Sequence, residues 1–173
     1  MITYSQPTEP SAVSDQIVRL FGEVFAEPPY YETDEDTAAF AETFARHIQR
    51  PGFALVTAHD NSTLVGFAYG HTQPPGWWWK DRAAPPPADM LDAEKFVVYE
   101  WAVAKRYRGN GIGQTMLEKL LRNRPEPWAT LSVNIAADAY RIYERTGWRP
   151  VGSRVDPNRP PMAAMARPLT APP

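Results

Sequence analysis

Apolar positions divide the first part of the chain into a strand, two helices and a hairpin. Met1 to Gln6 predicts a short first strand. After it, Ile17, Leu20, Phe21, Val24 and Phe25 recur on one stripe of a helix, with Ser11 or Ser14 as the cap and Pro28-Pro29 as the stop. Phe40, Phe44 and Ile48 repeat every four residues and predict a second helix, opened by a capping box from Thr33 to Asp36 and closed by Pro51-Gly52. Asp34, Glu35 and Asp36 occupy its first turn, where each negative charge is favourable by about 0.3 to 1 kcal/mol, so capping accounts for them before substrate binding does. Phe53 to Ala58 and Leu64 to Tyr69, joined by Asp60-Asn61-Ser62-Thr63, predict an antiparallel hairpin.

Further along, His71 to Asp92 contains Pro74-Pro75-Gly76, Trp77-Trp78-Trp79 and Pro85-Pro86-Pro87, too much proline for a sheet, and reads as one long ordered loop. An apolar stretch from Phe96 to Val103 predicts a strand. Ile112 to Leu121 predicts a helix through Ile112, Met116, Leu117 and Leu120. A strand from Ala129 to Val133 follows, then a helix closed by Gly147 at its C-terminal cap. Two last strands, Val151 to Val155 and Met162 to Ala166, flank a Pro/Asn turn. The length of 173 residues suits a single domain over residues 1–173, with enough chain to bury a core.

Charge adds an asymmetry. Met1 to Glu100 holds 6 Lys/Arg and 15 Asp/Glu, a net of −9, whereas Trp101 to Pro173 holds 12 and 5, a net of +7. A basic second part suits a polyanionic ligand, and an acidic first part suits a cationic one; solvated faces would give the same totals. The absence of cysteine excludes disulfides, thiolate metal sites and a cysteine nucleophile, and three scattered histidines argue against zinc. No basic segment precedes an apolar run near the N-terminus and no stretch reaches membrane-spanning length, so a soluble, cytoplasmic protein is expected, with no membrane partner.

The candidate chemistry centres on Arg108-Gly109-Asn110-Gly111-Ile112-Gly113, between the predicted strand and helix. Glycines there leave backbone N–H groups uncovered, and a helix N-terminus adds unpaired N–H groups and a positive dipole end, a cradle for phosphate. A Walker loop is excluded because Ile112-Gly113-Gln114 has neither lysine nor hydroxyl, and a Rossmann turn because Gln114 stands where its third glycine belongs. The remaining pattern, Arg108-x-x-Gly111-x-Gly113, resembles the coenzyme A pyrophosphate loop of the GNAT superfamily of N-acetyltransferases. Val98-Tyr99-Glu100-Trp101-Ala102-Val103 resembles that family's central strand. Ala139-Tyr140-Arg141-Ile142-Tyr143-Glu144-Arg145-Thr146-Gly147-Trp148 resembles its Ala-x-x-Leu-Tyr-Glu-x-x-Gly-Phe helix.

The resemblance implies a mixed α/β (α+β) fold: a central twisted, mostly antiparallel sheet of about seven strands with about four helices. It implies acetyl-CoA as cosubstrate and no metal. Pyrophosphate would lie on Arg108, Gly109, Asn110, Gly111, Ile112, Gly113 and Gln114, and pantetheine on the main chain of Trp101, Ala102 and Val103. A backbone N–H at or near Val103 would then face the thioester oxygen. Tyr143 is the implied general acid for the leaving thiolate and Glu100 the candidate general base, on the strand face of Ala102 and opposite Trp101 and Val103. A structural ion pair with an arginine is the other account of Glu100.

Ala139 matches the motif alanine, which the resemblance would place beside the cofactor. The family's usual asparagine three residues before it is replaced by Ala136, so Asn134 either reaches pantetheine from the strand end or caps the helix. One tryptophan of Trp77-Trp78-Trp79 is expected at the acceptor pocket, where its face would hold a cation. His47, His59 and His71 are expected at the surface or in packing.

The acceptor expected is a primary amine of a small cationic molecule. A protein or peptide N-terminus and a non-catalytic acyl-CoA-binding module are the alternatives. No nucleic-acid partner is expected, since there is no basic run. A homodimer is compatible with all of this.

Overall fold

The computed structural model describes residues 1–80, 86–154 and 160–169. Among them are seven strands, β1 (Ile2–Ser5), β2 (Ala54–Asp60), β3 (Thr63–Gln73), β4 (Lys95–Val103), β5 (Trp128–Asn134), β6 (Arg149–Arg154) and β7 (Met162–Pro168), ordered β1-β2-β3-β4-β5-β7-β6. The pairs β1–β2, β2–β3, β5–β7 and β6–β7 are antiparallel. Five α-helices accompany them: α1 (Ser14–Phe25), α2 (Asp34–His47), α3 (Ala88–Leu91), α4 (Ile112–Leu121) and α5 (Asp138–Arg145). The mixed α/β class is as expected, with one helix more. The described chain falls into two compact units, residues 1–71 with 98–122, and residues 72–97 with 123–173.

In the first unit the α1 stripe is buried as its spacing requires, from Ile17 at 0% exposure to Val24 at 8%. Phe21 stacks on Phe40 of α2 at 3.8 Å between centroids, and Phe40 in turn meets Phe67 of β3 at 6.3 Å. Neither serine caps α1, because a 3-10 turn at Pro10–Val13 leads into it and the N-cap is Val13, without a side-chain bond. Thr33 does cap α2: its Oγ1 accepts from the Asp36 N–H and the Asp36 carboxylate accepts from the Thr33 N–H. The helix α4 packs on the other sheet face, where a Cβ added at Gly66 would meet the Met116 methyl at 2.8 Å.

The described parts of the Pro-rich segment carry regular structure at both ends. The strand β3 continues to Gln73, and Ala88–Leu91 forms α3, so the predicted loop shrinks from both ends. Buried Lys95 explains part of this order in the second unit, since its ammonium donates to the carbonyls of Trp77 at 3.1 Å and Leu91 at 3.3 Å. Pro85, Val155 and the expected Pro/Asn turn lie outside the described residues.

Candidate active site

The glycine loop lies in the first unit. A 3-10 turn at Lys105–Tyr107 leads from β4 into it, and Gly111 is the N-cap of α4 in the left-handed region at φ 72°. No side chain caps α4 and no acid sits in its first turn, so the leading N–H groups of this helix are not taken by a cap. Nothing stands within 4 Å of where a Cβ would sit on Gly109 or Gly111, so the loop presents open backbone. Gly113 is small for another reason: a Cβ there would meet the Trp101 indole at 2.7 Å. The indole N–H donates to the Gly113 carbonyl at 2.8 Å, which fixes the start of α4 against β4.

The polar residues of the loop brace it. Arg108 donates through Nε to the Val103 carbonyl at 2.9 Å and through Nη1 to Glu27 at 3.0 Å, a carboxylate that Lys105 also approaches at 3.8 Å. Asn110 Nδ2 donates to the carbonyls of Tyr107 and Arg108. Gln114 donates to Glu118 at 2.9 Å, while its Oε1 is buried without a hydrogen bond. Ile112 is buried in the first turn of α4.

Strand alternation fails in β4. Tyr99 packs against His47, His71 and Tyr69 on the face of α2, yet Trp101, two residues on, lies against α4 on the opposite face. One residue is out of step, as a β-bulge produces, and Ala102 returns to the core cluster that Tyr99 joins. Glu100 therefore stands at the irregularity. Its face is the predicted one, with Tyr69 and Glu32 as its electrostatic neighbours.

Glu100 is the chemically unusual group. Among the described residues, no hydrogen bond or ion pair to its carboxylate is present. Burial, and next the nearby Glu32 carboxylate, push its pKa up to about 8. Glu32 is itself raised by burial and then by Asp36. Around them His47, half-buried, places Nδ1 3.2 Å from the Tyr69 hydroxyl, and its ring centroid lies 4.3 Å from Tyr99 and 4.8 Å from buried His71. Sequence spacing gave these histidines only a packing role, because α2 and β3 bring them together from 24 residues apart.

In the second unit Tyr143 is buried on α5, its ring 5.5 Å from that of Trp148 in an edge-on contact. The Trp148 N–H donates to the Tyr143 carbonyl across Gly147, which has φ 87°. This closing turn, with its apolar contact, fixes the end of the helix. Ala139 is half-buried one turn earlier. Asn134 ends β5, and its Oδ1 accepts from the Ala136 N–H at 2.9 Å, so it shapes the turn into α5. All three tryptophans of 77–79 are half-buried. Trp77 and Trp79 meet edge to face at 5.0 Å, Trp79 donates to Thr130 at 3.3 Å, and the Trp78 N–H is buried without a partner.

A family model described as "Acetyltransferase (GNAT) family" matches residues 16–148. The chain belongs to the GNAT acetyltransferase family. No curated protein matches it in sequence. Among solved structures it is similar to the ribosomal-protein-S18-alanine N-acetyltransferase of Escherichia coli, with TM-score 0.67, 19% identity, and coverage of 100% of this chain and 97% of that one. It is similar to an aminoglycoside 6'-acetyltransferase type Ii, with TM-score 0.70, 19% identity and 99% coverage of each chain. It also resembles the PaiA N-acetyltransferase of Thermoplasma acidophilum in complex with coenzyme A, with TM-score 0.67, 14% identity and coverage of 97% and 99%. At such identities the structures establish the GNAT fold. As a member of the family the chain is an acetyltransferase that takes its acetyl group from acetyl-CoA. Among the described residues, no helix is long and apolar enough to cross a membrane, and no three His, Cys, Asp or Glu residues cluster as metal ligands.

Proposed function

We propose that this protein acetylates a primary amine of a small cationic molecule, with Glu100 as general base. The observation that carries the reading is a carboxylate without a hydrogen-bond or ion-pair partner among the described residues and with a pKa pushed up to about 8. Such a group has no structural use for its charge, and burial without compensation is costly. In its ionised form, which grows as pH rises toward 8 and above, it can attract an ammonium ion and take its proton. The acidic balance of residues 1–100 supports a cationic acceptor.

The remaining steps follow from the other named groups. The uncapped N–H groups of α4 and the open backbone at Gly109 and Gly111 fit a pyrophosphate, and bound acetyl-CoA supplies the activated acetyl group. A main-chain N–H at or near Val103 polarises the thioester oxygen, an effect of about 3 to 4 kcal/mol when preorganised. Tyr143, with its ring held by Trp148, returns a proton to the departing sulfur.

The test is thiol release from acetyl-CoA across a panel of small cationic amines and peptides with free N-termini. Turnover of a cationic amine, lost in Gly111→Val together with coenzyme A binding and cut about a hundredfold in Tyr143→Phe, supports the reading. Turnover of peptides alone would transfer the protein to the N-terminal class, represented by the S18-alanine enzyme among its structural neighbours.

A further inference from the structure

The geometry points to His47 as a positioning residue for Glu100: its Nδ1 takes the hydrogen bond of the Tyr69 hydroxyl and so keeps that donor away from the Glu100 carboxylate. This rests on the reading of Glu100 as the base. The strands β3 and β4 run antiparallel here, since the Ala104 N–H donates to the Val65 carbonyl and the rings of Tyr69 and Tyr99 lie 6.2 Å apart. The buried Tyr69 phenol is therefore a cross-strand neighbour of the Tyr99-Glu100 step. Burial, and after it the charge of Glu100, raise the Tyr69 pKa well above the ordinary phenol range. Yet the Tyr69 hydroxyl bonds to His47 at 3.2 Å, and Glu100 receives no hydrogen bond among the described residues.

A phenol has one proton to give, and only a neutral imidazole nitrogen without hydrogen can take it. His47 meets that requirement. Burial lowers its pKa, and His71, Arg50 and Arg46 lower it further, to about 4, so the ring is neutral at physiological pH. A neutral ring with its hydrogen on Nε2 leaves Nδ1 as the acceptor. The groups facing Glu100 are then Glu32 from the segment before α2, Tyr69 from β3 and Tyr99 beside it. None of them stabilises the carboxylate by donation, and Glu32 opposes it. A carboxylate denied such a donor stays more basic.

The experiment follows the titration of the Glu100 carboxyl by carbon-13 NMR in glutamate-labelled protein, with the resonance assigned by its loss in Glu100→Gln. In His47→Leu the released hydroxyl turns to Glu100, and the midpoint should fall by about one pH unit. In His47→Asn, where Oδ1 replaces Nδ1 as acceptor, it should stay at the wild-type value. An unchanged midpoint in a folded His47→Leu overturns the inference. Should that variant fail to fold, Tyr69→Phe decides: a midpoint unchanged or lower agrees, and a rise shows that the hydroxyl already serves Glu100 and overturns it. The base assignment fails separately, if Glu100→Gln turns over an amine at the wild-type rate.

Discussion

Two glutamates of this chain lie in low-exposure surroundings and have opposite fates. Glu126, in the second unit, has a side chain 1% exposed and is held by Arg124 through Oε1 at 2.6 Å and Oε2 at 2.9 Å. The Thr72 hydroxyl donates to it as well, and Arg124 lies 4.0 Å over the Phe96 ring. Burial raises the Glu126 pKa, but the bonds from Arg124 and Thr72 outweigh this and leave it below the ordinary carboxylate value. Glu100, in the first unit, has no such donor among the described residues and moves the other way. The same side chain is a structural tie when its lone pairs are filled and a reactive group when they are left open. Burial alone does not separate the two. The partner list does.

The comparison breaks most violently if Glu126 is given the situation of Glu100. Arg124→Met removes the guanidinium and leaves a buried charge unpaired, and calorimetry should show a loss of about 3 to 5 kcal/mol. Unchanged stability would mean that the pairing counts for little. The reverse substitution acts on chemistry: Glu100→Gln should leave the protein folded and lower turnover of a cationic amine by about a hundredfold at pH 8. That gap should narrow at higher pH, where the amine is already free base.

A gentler test is stability against pH. Glu100 titrates near 8 when folded, against an ordinary value of 4.5, so the folded state binds more protons in that window. Its contribution therefore falls as pH rises from about 4.5 through 8, by no more than about 1.4 kcal/mol per pH unit. Urea denaturation across this range should show a decline in wild type that is weaker in Glu100→Gln; parallel curves would contradict it. The smallest effect expected concerns long-range attraction by the acidic first part. Raising salt from 0.05 to about 0.5 M, with acetyl-CoA saturating, should raise the acceptor KM only severalfold, because the screening length shrinks while the short contact to Glu100 is protected.

Much of the frame was legible because it depends on local repeats. The stripes of α1 and α2, the Thr33 capping box, the hairpin of β2 and β3 and the Gly147 closure of α5 all follow from spacing within one element. The glycine loop was legible as a pattern, whereas the second reason for a glycine at 113, the room it leaves for Trp101 12 residues away, needs the tertiary structure. Strict alternation placed Glu100 with Ala102 and opposite Trp101, but it could not show that Tyr99 and Trp101 lie on opposite faces. The His47, His71, Tyr69 and Tyr99 cluster was invisible for another reason: three elements contribute to it and none carries a local signature. Lys95, a charge in an apolar strand, was the available hint that the Pro-rich segment is tied down.

The contact between Trp101 and Gly113 also limits how this chain can drift. The indole fills the space that any side chain at position 113 would need, and its N–H is spent on the carbonyl of that residue. Neither position is free to change first: a larger residue at 113 meets the ring, and a smaller one at 101 leaves a hole under the helix start together with an unanswered carbonyl lone pair. A library randomised at both should return matched pairs rather than independent choices, two letters of the alphabet inherited as one.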